Sequence, residues 1–301
     1  MISIIICSKD QELFFKVKEN IRNTVGVPFE IIEMNNEDGK FGICSAYNKG
    51  ADKANFEILC FLHEDTNFET HNWGEIIISH LSDKSVGLIG IAGGDTKSFV
   101  PSSWSSFIYP SEISIVQHFK STGKMERIVR TGDISNPQLI KPVICIDGVF
   151  MCTRKDVFSK FRFDEKTFPE FHGYDLDYSL QVGTSLKECM IFDLFIPHFS
   201  EVSFHRHWLN YTMKLSDKWK YRLPVSVRNL KESEYINQHW TSMRNFIKKQ
   251  IELDYKLHII LKNYFKYSFT QYFHFMHFLH FLRIILLVKL ANSEKYMQKI
   301  S

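Results

Sequence analysis

What this chain lacks narrows its class before any motif is considered. No two of its six cysteines, Cys7, Cys44, Cys60, Cys145, Cys152 and Cys189, stand in C-x-x-C spacing. Several lie inside apolar runs, where a thiol acts as a small hydrophobe, so the set reads as reduced cysteines in a reducing compartment. Neither G-x-G-x-x-G nor G-x-x-x-x-G-K-[ST] occurs, which disfavours dinucleotide and P-loop cofactors. Charge of one sign is also scarce: 37 Lys and Arg against 34 Asp and Glu give +3, too little to point to nucleic acid. The start, Met1-Ile2-Ser3-Ile4-Ile5-Ile6, has no basic leader and turns polar at Ser8-Lys9-Asp10. It is expected to be a first strand and not a signal peptide, in keeping with a cytoplasmic protein. There is no repeat and no low-complexity tract. With 301 residues, 44% of them hydrophobic and 24% charged, the composition fits one large globular domain with a smaller appendage.

What is present is an alternation of apolar runs and longer amphipathic stretches. Ile2 to Cys7 reads as a strand, and Ser8 or Asp10 can cap a helix over Gln11 to Val25. Phe29 to Met34 reads as a second strand, closed by the turn-forming cluster Asn35-Asn36-Glu37-Asp38-Gly39. Helix is expected over Gly42 to Ala54, and a third strand over Ile58 to Leu62. The connections are too long for hairpins, so the order βαβαβ predicts parallel strands and right-handed crossovers in a Rossmann-like half. A helix over Trp73 to Leu81 and a strand over Val86 to Ile91 follow, the latter ending in Gly93-Gly94. Residues 95–140 read as loops and short antiparallel strands over a site.

The polar residues gather at the ends of the apolar runs. The run from Ile58 to Leu62 stops in His63-Glu64-Asp65, putting an imidazole and two carboxylates at the carboxyl end of a sheet, where open α/β folds bind ligands. A solvated turn is the alternative reading. Asp147-Gly148 interrupts the strand from Pro142 to Met151, either as a turn or with the aspartate in a pocket. In Phe171-His172-Gly173-Tyr174-Asp175-Leu176-Asp177 the two aspartates fall at the start of a helix running to about Gly183. The helix dipole favours carboxylates there, and one held at a cleft can act as a general base. A last strand, Met190 to Pro197, delivers His198.

These segments, with Ile4-Ile5-Ile6 and Ala46-Tyr47-Asn48-Lys49-Gly50-Ala51, occur in the order and spacing of family 2 glycosyltransferases with the GT-A fold. Within them, the chain resembles the subgroup named for a streptomycin-biosynthesis protein. The resemblance covers residues 1–205. It implies an α/β GT-A domain, Rossmann-like with a mostly parallel central sheet and flanking helices; residues 206–301, beyond the resemblance, read as an α-helical C-terminal extension. The resemblance further implies a metal-dependent, inverting transfer of a sugar from a nucleotide-sugar donor to a hydroxyl of a glycan, lipid-linked or small-molecule acceptor. The family's Asp-x-Asp corresponds to His63 and Asp65, with His198 a further ligand. The substituted imidazole favours Mn2+ over Mg2+. Asp175 matches the catalytic base, although Tyr174 stands where the family has Glu. Donor contacts fall to Ser8, Asn35, Asn48, Glu64 and Asp65. Sugar contacts fall to Asp147, Gly148, His172, Tyr174 and Asp177. Asn35 in place of an Asp leaves the base unspecified, with UDP- or dTDP-sugars as the expected donors. A noncatalytic sugar-nucleotide or glycan-binding module is the alternative. A nucleotidyltransferase is disfavoured because Cys7-Ser8-Lys9-Asp10 is no glycine-rich phosphate loop.

Residues 208–263 read as successive helices, with Pro224 as one break. His205 and His207, two apart, face away from each other on a helix and make a poor second metal site. From Tyr264 to Leu290 the chain is dense in aromatics and aliphatics, with His274, His277, His280 and Arg283 forming one polar stripe. That stretch is read three ways: a core helix, a homodimer contact, or an interfacial helix. The last would make the protein peripheral on the inner face of the plasma membrane. The four ionisable groups of that stripe argue against a membrane span.

Overall fold

A computed structural model of the chain describes residues 1–104, 112–119, 123–130, 139–199 and 204–290. The opening follows strand and helix in turn: β1 (Ile2–Ser8), α1 (Gln11–Thr24), β2 (Phe29–Asn35), α2 (Ile43–Lys53), β3 (Ile58–Leu62), α3 (Trp73–Ser82) and β4 (Val86–Gly90). Short strands β5 (Ala92–Gly94) and β6 (Thr96–Lys97) come next, then the longer β7 (Glu112–Phe119) and β8 (Lys124–Arg130). After them lie β9 (Ile140–Val143), β10 (Cys145–Ile146), β11 (Phe150–Arg154), α4 (Lys155–Phe158), α5 (Tyr174–Val182), β12 (Lys187–Ile191) and β13 (Pro197–His198). The chain closes with α6 (Arg206–Lys218), β14 (Val225–Ser226), α7 (Glu232–Glu252), α8 (Leu257–Ser268) and α9 (Phe275–Leu290).

Two compact units result, one of residues 1–95 with 110–203 and one of residues 96–109 with 204–301. The first is built on a seven-stranded sheet in the order β2-β1-β3-β11-β4-β12-β9. β1 pairs in parallel with β2 and β3, and β4 in parallel with β12, while β11 and β9 run antiparallel to their neighbours. This is the mixed α/β, mostly parallel sheet that the βαβαβ opening predicts. A second sheet, β10-β5-β7-β13 with β8 on β7, stands beside it. The β7/β8 hairpin is longer than the short strands expected in that region, and the rest of the expected loop region, 105–111, 120–122 and 131–138, lies outside the described residues.

Capping and packing explain these elements locally. Asp10 accepts from the backbone N–H groups of Glu12 and Leu13 at 2.9 and 3.1 Å, starting α1 as the sequence suggests. β3 is buried along its whole length between β1 and β11, which accounts for its unbroken apolar run. The core of this unit gathers Phe14, Val17 and Ile21 of α1, Trp73 and Ile77 of α3, and inward residues of β1, β3, β4 and β11. Phe68 and Trp73 stack at 4.2 Å.

Two expectations are corrected. The apolar stretch from 190 to 197 is not one strand: β12 stops at Ile191, and His198 arrives on β13, which pairs in parallel with β7 of the second sheet. Nor is 264–290 one helix. The chain breaks between Ser268 and Phe275 and folds α9 back on α8, with the Tyr264 hydroxyl donating to the Phe278 carbonyl. The fold-back buries Tyr264, Tyr267, Phe278, Phe281 and Ile285 in the core of the second unit, more apolar surface than a lone extended helix would hide.

Arg154, at the end of β11, is buried and donates to the carbonyls of Leu81 (3.2 Å) and Val86 (2.6 Å), clamping the end of α3 to the start of β4. Arg154→Ala strands these acceptors and is expected to cost about 2–4 kcal/mol of stability, read by urea unfolding followed through tryptophan fluorescence. A loss below about 0.5 kcal/mol would mean that water replaces the guanidinium without penalty.

Candidate active site

The carboxyl ends of β1, β2 and β3 lie together, with Ser8 registered against Asn35 and Ile6 against Leu62. His63 leaves β3 with its N–H on the Val149 carbonyl (3.2 Å) and its carbonyl accepting from Thr66 Oγ1 (2.8 Å). This turn aims His63 and Asp65 to the same side. Thr66 bridges antiparallel to His198, and the Phe199 N–H donates to the Asp65 carbonyl at 2.9 Å. β13 therefore brings His198 back across more than a hundred residues to the end of β3.

The result is a cluster of two imidazoles and a carboxylate. One ligand atom each from His63, Asp65 and His198 lie within 4.8 Å of one another. His198 Nε2 stands 3.6 Å from Asp65 Oδ1. Burial holds the His63 pKa below its ordinary value, and His198 pushes the same way against the opposing pull of Asp65 and Asp147. A neutral imidazole keeps a lone pair for a metal, so the donor set suits a divalent cation of borderline character.

Beside this cluster, α5 starts at Gly173, whose φ of 82° lies in the left-handed region that favours glycine. The first turn presents Tyr174 and Asp175. The Gly148 N–H donates to Asp175 Oδ2 at 3.2 Å, and Asp147 accepts from the Val149 N–H at 2.9 Å. Burial, and then the nearby Asp147 carboxylate, push the Asp175 pKa up to about 7 against backbone N–H groups that favour the anion. A carboxylate poised there, still partly open to solvent, is matched to general-base work near neutral pH.

The remaining expected contacts divide. Asn35 is exposed at the end of β2, its amide on Glu37. Glu64 ties β3 to the start of α1 by accepting from the N–H groups of Lys9 (2.9 Å) and Asp10. Burial raises its pKa against these bonds. His172 is half-buried just before α5. Three of the expected contacts lie buried. Ser8 is fully enclosed, with its hydroxyl donating to Glu33 Oε1 at 2.7 Å. Asn48 is buried, with Nδ2 donating to the Phe163 carbonyl and Glu165 and Oδ1 accepting from the Phe163 N–H. Asp177 is fully enclosed and accepts from Gln181 Nε2 at 2.8 Å. Their hydrogen bonds tie all three to the surrounding scaffold. Sequence reading missed Thr66, and it missed the 2.9 Å contact between His63 Nε2 and the Tyr174 hydroxyl. A threonine directly after Asp65 was visible, but nothing local marks a partner 111 residues away.

A family model described as "Glycosyltransferase like family" matches residues 3–223. The chain belongs to that family. No curated protein matches. Among solved structures, the chain is similar to GalNAc-T7 with UDP, GalNAc and Mn2+, at 10% identity and a TM-score of 0.49, over 89% of this chain and 55% of that one. It thus spans about half the length of that relative. It is also similar to the mannosyltransferase PcManGT from Pyrobaculum calidifontis in complex with GDP-Man and Mn2+, at 10% identity and a TM-score of 0.46, over 97% and 76% of the two chains.

The raised pKa of Asp175 has a sign. Folding favours its protonated form, so the associated stability is complete below the ordinary value of 3.8 and is lost as pH rises through about 7. Asp175→Asn keeps the shape without the charge. It is expected to raise the melting temperature at about pH 8.5 by several degrees while changing little at about pH 4. Equal shifts at both pH values would remove burial of the charge as the cause.

Proposed function

We propose that this protein is a metal-dependent, inverting glycosyltransferase that moves a hexosyl group from a nucleotide-sugar, UDP- or dTDP-linked, to a hydroxyl of a glycan or lipid-linked acceptor. The observation that carries this reading is the placement of Asp175. A partly open carboxylate with a pKa near 7 stands beside the His63, Asp65 and His198 cluster, and Asp147 acts electrostatically on both His63 and Asp175. Family membership supports the reaction class, and the roles proposed for individual residues follow the sequence resemblance to family 2 glycosyltransferases.

Asp175 accepts the proton of the acceptor hydroxyl as that oxygen bonds to the anomeric carbon. The bond from that carbon to the diphosphate oxygen breaks on the opposite face, so the centre inverts and no enzyme-bound sugar forms. The Gly148 N–H holds Oδ2 of Asp175 and so orients the carboxylate that takes the proton. His63, Asp65 and His198 would hold a divalent cation, Mn2+ for this donor set, which when bound neutralises charge on the departing nucleoside diphosphate. Burial first, and then the neighbouring Asp147, raise the proton affinity of Asp175 and so strengthen it as a base.

The test is thermal shift and sugar transfer across UDP-, dTDP- and GDP-sugars, with and without Mn2+, on wild type, Asp65→Ala and Asp175→Asn. Stabilisation by one nucleotide with metal is expected, and Asp65→Ala abolishes it. Asp175→Asn keeps the stabilisation but loses about 10²–10⁴-fold in turnover. Full turnover in Asp175→Asn removes the base. Nucleotide binding without any transfer by wild type leaves a binding module.

The second unit supports a peripheral site of action on the cytoplasmic face of a membrane. Among the described residues no helix is long and apolar enough to cross a bilayer. Yet Phe269, Phe275 and Met276, at the break between α8 and α9, are 61%, 61% and 67% exposed, and Phe265, Phe273 and Leu279 are exposed beside them. Phe269 stacks between Phe265 and Phe273 at 6.1 and 5.4 Å. From 255 to 290 the chain has no Asp or Glu but carries Lys256, Lys262, Lys266, Arg283 and Lys289. An aromatic tip within an acid-free stretch complements an anionic bilayer. Phe269→Ser/Phe275→Ser/Met276→Ser is expected to abolish co-flotation of the full chain with phosphatidylserine vesicles. Unchanged flotation, or none by wild type, would end the membrane proposal.

A further inference from the structure

We propose that Tyr174 is a positioning residue for the cation site: its phenol oxygen accepts the Nε2–H of His63 and so fixes the imidazole tautomer that leaves Nδ1 to ligate. The inference rests on the metal-dependent reading above, and it names what makes that site competent.

Neutral imidazole has one N–H and one lone pair. His63 Nε2 lies 2.9 Å from the Tyr174 hydroxyl, so that nitrogen is engaged and Nδ1 is the atom left for a cation. If the phenol donated to Nε2, the hydrogen would sit on Nδ1 and His63 could not join Asp65 and His198. A ligating histidine generally gives its other N–H to an acceptor that sets its tautomer and ring orientation. In this chain that acceptor is a tyrosine, which adds no charge to a cluster already holding a carboxylate.

The surroundings are built to hold the phenol in place. The Tyr174 ring is buried among Tyr47 (5.9 Å), Phe163 (5.9 Å) and Phe171 (6.1 Å). Gly148 gives the second, independent observation. A Cβ at this position would lie 1.9 Å from the Tyr174 hydroxyl oxygen. The Gly148 backbone is not in the left-handed region, so no turn geometry demands a glycine. What demands it is the close approach of the phenol. The same residue holds Asp175 through its N–H, so one glycine seats the base and the histidine's partner together.

The deciding measurement is Mn2+ binding by the full chain, read from loss of the free-ion electron paramagnetic resonance signal. The variants are Tyr174→Phe, Gly148→Ala, His63→Ala and His63→Ala/Tyr174→Phe, with melting curves confirming folding. Tyr174→Phe and Gly148→Ala are each expected to weaken Mn2+ binding by about 10–100-fold. The phenylalanine change should have no further effect once His63 is alanine. Equal affinity of wild type and Tyr174→Phe overturns the inference and leaves the metal site standing. An equal loss in both backgrounds also overturns it, since the effect would then not pass through His63. If wild type binds no Mn2+, the metal-dependent reading falls and this inference with it. Should Tyr174→Phe not fold, Gly148→Ala decides alone, and wild-type affinity in that variant overturns the inference.

Discussion

The site depends on the complete burial of β3. A strand enclosed on both faces and hydrogen-bonded on both edges has no place for a polar side chain along its length, so its chemistry is pushed to its end. Ile58 to Leu62 obey this, and His63, Glu64 and Asp65 follow at once. Glu64 then fastens the loop after β1, and the carbonyls of His63 and Asp65 take hydrogen bonds from Thr66 and Phe199. The backbone at the end of β3 is thereby fixed, and the side chains of His63 and Asp65 are brought together with His198.

The same economy of backbone contacts creates a tension at Asp175. A carboxylate set in the first turn of a helix and held by the Gly148 N–H would ordinarily ionise readily. Burial and the adjacent Asp147 outweigh those contacts and lift it to about 7. Such a group lowers stability at neutral pH, and it persists in folds where the site requires it. Around it, Asn48 and Asp177 are polar residues turned wholly inward, and their hydrogen bonds hold α2, α5 and the 162–165 segment in place. Buried amides and carboxylates of this kind are rigid because leaving them unpaired is costly.

The second unit obeys a different constraint. Its core is aromatic, with Trp240 stacked against His277 and Phe281 and with Phe246 edge-on to Tyr267. Large rings bury much area per residue, and a small unit needs that to stay folded. The turn between α8 and α9 cannot tuck its own rings into this core, and they are left at the surface.

The sequence by itself determined the alternation of strands and helices in the first unit, because apolar runs of four to seven residues and capping residues such as Asp10 act over a few positions. It also determined which residue types stand at the strand ends, and hence that His63, Asp65, Asp147 and Asp175 were candidates. Only the tertiary structure decided their partners. His198 reaches Asp65 through a strand in another sheet, Tyr174 reaches His63, and Gly148 is a glycine because a phenol lies where its side chain would be. Ser8, Asn48 and Asp177 are expected at the site by position, and only packing decides that they are buried. The break in the C-terminal aromatic stretch was equally invisible, since no glycine or proline marks it and only the fold-back of α9 on α8 explains it. Local chemistry is written in neighbouring residues, whereas orientation and burial depend on contacts among residues far apart in the chain, and a single sequence does not display those.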